Sequence, residues 1–171
     1  MNLLRISFLA VLFLFQFTSC NKADDPNPVT KSVLKITVSL PDGWTPVSGS
    51  VLEHQYMKGT ASFMIKEEKA LNNMDLDEAV EKAIDVLSST FNNFSSTDPE
   101  AMLVDGHEAL SIIFAYNVSV GGTVIQMKMQ SVYVMVNQQC QLIAFGDQES
   151  LFANLSNDIS QILAGIKFVL E

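Results

Sequence analysis

Leu110-Ser111-Ile112-Ile113-Phe114-Ala115-Tyr116-Asn117-Val118-Ser119-Val120-Gly121-Gly122-Thr123 is the stretch that decides how this chain folds. Leu110, Ile112, Phe114, Tyr116 and Val118 fall at every second position, the period of a strand with one buried face. Gly121-Gly122 follows, and both residues accept the positive φ that a type I′ hairpin turn demands. The return strand runs from Thr123 to about Val136 and carries Met127, Met129 and Met135. Its apolar phase changes near Gln130-Ser131, which predicts a bulge or a passage from edge to core. Asn137-Gln138 turns the chain again into Cys140-Gln141-Leu142-Ile143-Ala144-Phe145, which reads as a buried strand. Upstream, Asp105-Gly106-His107 opens the hairpin, and the polar segment from Asn92 to Glu100 reads as a loop.

Moving outward, Leu34, Ile36, Val38 and Leu40 alternate with Lys35, Thr37 and Ser39, so 33–40 is a half-buried strand stopped by Pro41-Asp42-Gly43. Two weaker strands are expected at 51–57 and 60–66, the latter with Met64, on either side of Lys58-Gly59. Leu76, Ala79, Val80, Ala83, Ile84 and Leu87 form one apolar stripe, predicting a helix over 75–91. Asp75 with Glu78 resembles a capping box at its start, and Asp77, Glu81, Lys82 and Asp85 make a solvated face. Phe152, Leu155, Ile159, Ile162 and Ile166 predict a second helix over 149–166. Antiparallel hairpins with two long helices indicate the α+β class: a curved antiparallel sheet of about six or seven strands, flanked by two main helices.

The chain has 171 residues and a formal net charge of −9. Such a surface repels phosphate backbones, so nucleic acid is not expected as a partner. His54 and His107 are the two histidines and have no HxxxH or CxxC spacing, so no metal site is expected. No GxSxG elbow is present, no Ser or Cys has a base that sequence alone brings within reach, and Cys140 has no His or basic residue beside it. Glu67-Glu68 could be read as glycosidase carboxylates, but at the end of an exposed strand they read as solvated charge. No catalytic residue or cofactor is therefore expected, and the chain reads as a non-enzyme. The methionines Met127 and Met129, with Phe114 beside them, are candidates for an adaptable apolar ligand or partner surface, because thioethers adjust to irregular partners.

The N-terminus reads as an address. Arg5 precedes an apolar run of about ten residues, the length of a signal-peptide core and short of a membrane span. Phe17-Thr18-Ser19-Cys20 resembles the lipobox of bacterial lipoproteins, in which the signal is cut before the cysteine and that cysteine is diacylated. The family's usual Leu three residues before the cysteine is Phe17 here. The resemblance implies a signal peptide over 1–19 and an anchor at Cys20, held permanently because several acyl chains sit on one residue. The segment over 20–32, with Asp24, Asp25, Pro26 and Pro28, reads as a flexible tether. The folded domain then covers 33–171. Lys22 followed by two acids looks like the export signal of some Gram-negative lipoproteins, so the expected place is the cell envelope, at the outer membrane on its periplasmic or surface face. With Cys20 acylated, Cys140 is left as a small buried thiol.

The order of elements resembles the fold of PsbP, of a Ran-binding import factor and of lipoproteins related to DcrB. The features that carry this are Leu40-Pro41-Asp42-Gly43-Trp44, the helix over 75–91, Asp105-Gly106-His107-Glu108-Ala109, and a C-terminal helix running into Lys167-Phe168-Val169. The resemblance covers 33–171 and implies a PsbP-like α/β/α sandwich and a binding or accessory role; the anchor and tether make an envelope protein the expected partner. The reading that competes with it is carriage of a small apolar ligand between the sheet and a helix.

Overall fold

The computed structural model describes residues 33–171. The expected leader, tether and Cys20 anchor lie outside the described residues. The elements run β1 (Leu34–Val38), β2 (Thr45–Pro46), β3 (His54–Lys58), β4 (Ala61–Glu67), α1 (Leu76–Thr90), β5 (Asn92–Ser96), β6 (Glu100–Val104), β7 (His107–Val120), β8 (Thr123–Val136), β9 (Gln139–Gln148), α2 (Glu149–Phe152), α3 (Ser156–Gly165) and β10 (Ile166–Leu170). Eight strands form one sheet in the order β2-β3-β4-β9-β8-β7-β5, with β6 also pairing β7, and β1 with β10 makes a separate ribbon. Every pairing is antiparallel. The architecture is the α+β class read from the sequence.

The β7–β8 hairpin is the spine. Gly121 and Gly122 take φ of 58° and 82°, which makes the turn. Register is unbroken from Ala109↔Val134 to Val120↔Thr123, so the bulge expected near Gln130-Ser131 is absent. The phase changes for another reason. Met127, Met129, Ser131 and Tyr133 point to one face of the sheet, and Val132, Val134 and Val136 point to the other, where all are buried. Towards its C-terminal end β8 is covered on both faces, and strict alternation is no longer required of it.

Three expected elements differ. Asn92 to Glu100 is not a loop: β5 and the start of β6 lie there, both on the outer edge of β7. A fourteen-residue strand has backbone donors and acceptors to satisfy along its whole length, and polar residues serve at an edge. β5 is irregular, with Asn93 at φ 54° and a register shift between Asn92 and Ser95. The second helix is shorter than 149–166. It breaks at a 3-10 turn, Ala153–Leu155, and ends at Gly165, where a Cβ would lie 2.8 Å from the Ser39 carbonyl oxygen. Ile166 therefore begins β10, which pairs with β1 from Val38↔Ile166 to Leu34↔Leu170. Finally, Asp75 caps α1 without a side-chain hydrogen bond, so the capping box is not closed.

Two cores result, one on each face. Phe63, Ile65, Val132, Val134, Ile143 and Phe145 pack beneath α3 and the β1–β10 ribbon. Met64, Ala79, Val80, Ala83, Leu87, Ile112, Phe114, Met129, Tyr133 and Leu142 pack beneath α1.

Candidate functional site: a cavity beneath α1

A row of paired residues crosses the sheet under the middle of α1. Met64 lies opposite Ala144, Ala144 opposite Ser131, and Ser131 opposite Ile112. Two of these four are small, and the helix residue above them is Ala83. Well-packed layers set large side chains against small ones; here small meets small, and space remains. The result is a cavity of about 120 Å³. Its floor is Met64, Phe114, Met129, Leu142 and Ala144, with Ser131 and Tyr133, and its roof is Ala83, Val86 and Leu87. Glu68, Ala70 and Leu71, from the connector between β4 and α1, close one side.

Of the lining residues, Ala70 and Lys82 are the exposed ones, so the mouth lies between them. Lys82 Nζ donates to the Ala70 carbonyl at 3.4 Å and spans that mouth. Glu68, expected from the sequence as solvated charge, is 9% exposed and forms an ion pair with Lys66 at 2.6 Å. Burial pushes the Tyr133 phenol up, and the nearby Glu68 carboxylate adds to the shift. The Cys140 thiol is pushed up to about 12 by burial and then by Glu68. Both groups are thus held uncharged, the opposite of what an activated nucleophile needs. Cys140 is a buried thiol in the α1-side core.

The structure brings Phe114 and Met129 into the cavity wall and leaves Met127 out of it. Met127 belongs to the same core but sits one rung nearer the hairpin turn. Ala83, Ser131, Tyr133, Leu142 and Ala144 were not anticipated. For Ala83, Ser131 and Ala144 the one sequence signal is a small residue on an apolar element, and that signal acquires meaning only when register sets them side by side; Tyr133 and Leu142 carry none beyond strand alternation.

The residues that punctuate the chain hold the opposite face. Trp44 Nε1 donates to Asp158 Oδ2 at 2.9 Å, and Lys58 Nζ donates to the same oxygen at 2.7 Å. Lys58 and then Trp44 hold the Asp158 carboxyl below the usual range, against a partial offset from burial. Asp105 accepts from Lys167 Nζ and from the Phe168 backbone N–H, both at 2.8 Å, and these bonds lower its pKa. His54 lies between the Ile36 carbonyl at 3.1 Å and the Tyr56 hydroxyl at 3.4 Å, and His107 meets the Phe168 ring edge-on. Among the described residues no three His, Cys, Asp or Glu converge on a metal position, and no helix is long and apolar enough to cross a membrane.

No family model matches the chain, and no curated protein matches it. Solved structures do. LpqN, involved in cell envelope biogenesis of Mycobacterium tuberculosis, aligns with a TM-score of 0.59 at 12% identity, covering 84% of this chain and 87% of that one. The Ran-binding protein Mog1p of Saccharomyces cerevisiae aligns at 0.56 and 10% identity, covering 77% and 89%. Cyanobacterial PsbP from Synechocystis sp. PCC 6803 superposes more loosely, at 0.45 and 15% identity over 90% and 99%. What is shared at such identities is architecture, and the described domain has the α+β fold of LpqN and Mog1p.

Proposed function

We propose that this chain is a lipid-anchored protein of the cell envelope, tethered through Cys20, whose domain over 33–171 is a non-catalytic binding or accessory module for an envelope protein. One geometric observation carries the reading: the domain is entered at one end and presents a neutral ribbon at the other. Leu34 lines one groove with Glu67, Glu68 and Gln141, and Gln141 pairs with Val134 near the C-terminal end of β8. The β7–β8 turn is some twelve residues away along that strand, roughly 40 Å at the rise of an antiparallel strand. Beyond the Asn92↔Asn117 and Met127↔Gln148 pairings, the hairpin has neither β5 nor β9 beside it. No charged residue lies between Glu108 and Lys128. Val124 is 59% exposed there, and Val118, Val120 and Ile125 are half-buried.

On a chain of net charge −9, a projecting uncharged hairpin lets a protein partner approach without crossing a repulsive field. The groups with displaced pKa values also favour a non-catalytic role, since Asp105 and Asp158 are engaged in latches and Tyr133 and Cys140 are held neutral. Residue-specific photocrosslinking in cells tests this. A crosslinker at Val124 should give a defined adduct that one at Glu81 does not, and Cys20→Ala should abolish fatty-acid labelling and weaken the adduct. Equal crosslinking at both positions, or none at Val124, would remove the reading.

The cavity beneath α1 favours a second reading, carriage of a small apolar ligand. Native mass spectrometry of gently purified protein should then retain a bound mass.

A further inference from the structure

We infer that the cavity beneath α1 is a binding site for the end of a single unbranched hydrocarbon chain, entered between Lys82 and Ala70. This deepens the second reading above and rests on it. Three observations meet at this place. The space is made by small side chains facing one another, Ala83 above with Ser131 and Ala144 below, each fixed there by strand register or helix position. It is flanked by Met64 and Met129, whose flexible thioethers can follow a guest. Met129 also packs over Gly146, where a Cβ would stand 3.1 Å from Met129 Cγ, so its freedom depends on that glycine.

The volume decides the class of guest. An engineered cavity of about 150 Å³ with aliphatic and aromatic walls stays dry and takes benzene. Here the volume is about 120 Å³ and the walls are almost wholly apolar, so water is a poor occupant. A methylene needs roughly the 30 Å³ that a water takes in the liquid, so about four fit. A whole lipid does not fit; the tip of one chain does. A charged head cannot follow it inside without losing its hydration. The head must stay at the mouth, where the exposed Lys82 ammonium can move off the Ala70 carbonyl to meet it.

The test uses the full chain in lipid nanodiscs, with methionine methyl groups labelled for NMR and straight-chain alkanols from propanol to octanol as probes. Free alkanol is measured in the headspace, so uptake by lipid drops out of the affinities. Met64 and Met129 should shift saturably while Met57 and Met127 hold still. Affinity should rise about fourfold per added methylene and stop rising once about four are buried. Ala83→Leu should remove the shifts. Should that variant not fold, the chain-length series on the native protein decides alone. Shifts spread over all the methionines, or affinity that climbs through octanol without a break, means surface adsorption and overturns the site. So does the absence of any shift at Met64 and Met129. Crosslinking at Val124 is unaffected by either outcome, so failure here leaves the envelope-partner reading standing. A confirmed site with no mass retained from cells would remove carriage alone.

Discussion

On one face of the sheet Phe63 and Phe145 stack at 5.0 Å beneath α3, and Trp44 meets Phe63 edge-on at 6.1 Å. On the other face Met64 and Met129 flank a cavity beneath α1. The strands are the same, so β8 and β9 serve both cores at once. The Phe63–Phe145 face is also pinned by charge, through Asp158 with Trp44 and Lys58 and through Asp105 with the C-terminal ribbon. At the rim of the methionine face, Lys66 pairs with Glu68. The α1 face has stacked rings as well, Phe91 with Tyr116 at 4.0 Å and Phe114 with Tyr116 at 5.9 Å, so the difference is local: around Met64 and Met129, flexible thioethers over small residues leave room to repack. One face is thus fastened by buried charge, and the other has open space beside its thioethers.

The contrast is broken most directly by Phe145→Ala. Phe145 is 0% exposed, and its loss should cost about 3–5 kcal/mol in urea denaturation. A loss no larger than that of an equivalent truncation on the α1 side would mean the faces do not differ. Next in size is Asp158→Ala, which leaves the buried Trp44 N–H without its acceptor and should cost about 2 kcal/mol. Because Trp44 is the single tryptophan, its fluorescence should redden in this variant before the domain unfolds.

The two faces should also fail at opposite ends of the pH scale. Asp158 and Asp105 are held below the usual carboxyl range, so their contribution is complete above about pH 4 and is lost as pH falls through the lowered values. Burial raises Tyr116 and Cys140 to about 12, so their contribution is complete below their ordinary values and is lost as pH climbs towards 12. Trp44 fluorescence should therefore report loosening in acid while the Met129 methyl signal stays native, and the order should reverse in alkali. Simultaneous change at both probes in acid and in alkali would erase the distinction. The smallest effect belongs to Met129→Leu, a near volume-conserving change beside empty space that removes only the weak sulfur acceptor of the Tyr116 hydroxyl, and it should cost less than about 1.5 kcal/mol by thermal denaturation.

The hairpin, the α1 stripe and the buried Cys140 strand were legible because each rests on local periodicity and turn chemistry. β5 was not, because Asn92-Asn93-Phe94-Ser95-Ser96 has no strand pattern of its own and becomes a strand by pairing with β7. β10 was hidden within a helical pattern for the same reason: Ile166 continues the spacing of α3, but the close approach of Ser39 to Gly165 ends the helix. The site was half legible. Phe114 and Met129 stood out by residue type, whereas Ala83, Ser131 and Ala144 matter by being small together.

The amino-acid order alone determined the α+β class, the two-glycine hairpin and the strong negative charge, since these depend on near neighbours and on composition. Tertiary structure alone decided that the early strand leaves the main sheet to pair with the last one, that Glu68 is buried, and that three small side chains from a helix and two strands share one space. Such features depend on distances between residues far apart along the chain, and those distances exist only once the sheet has chosen its register.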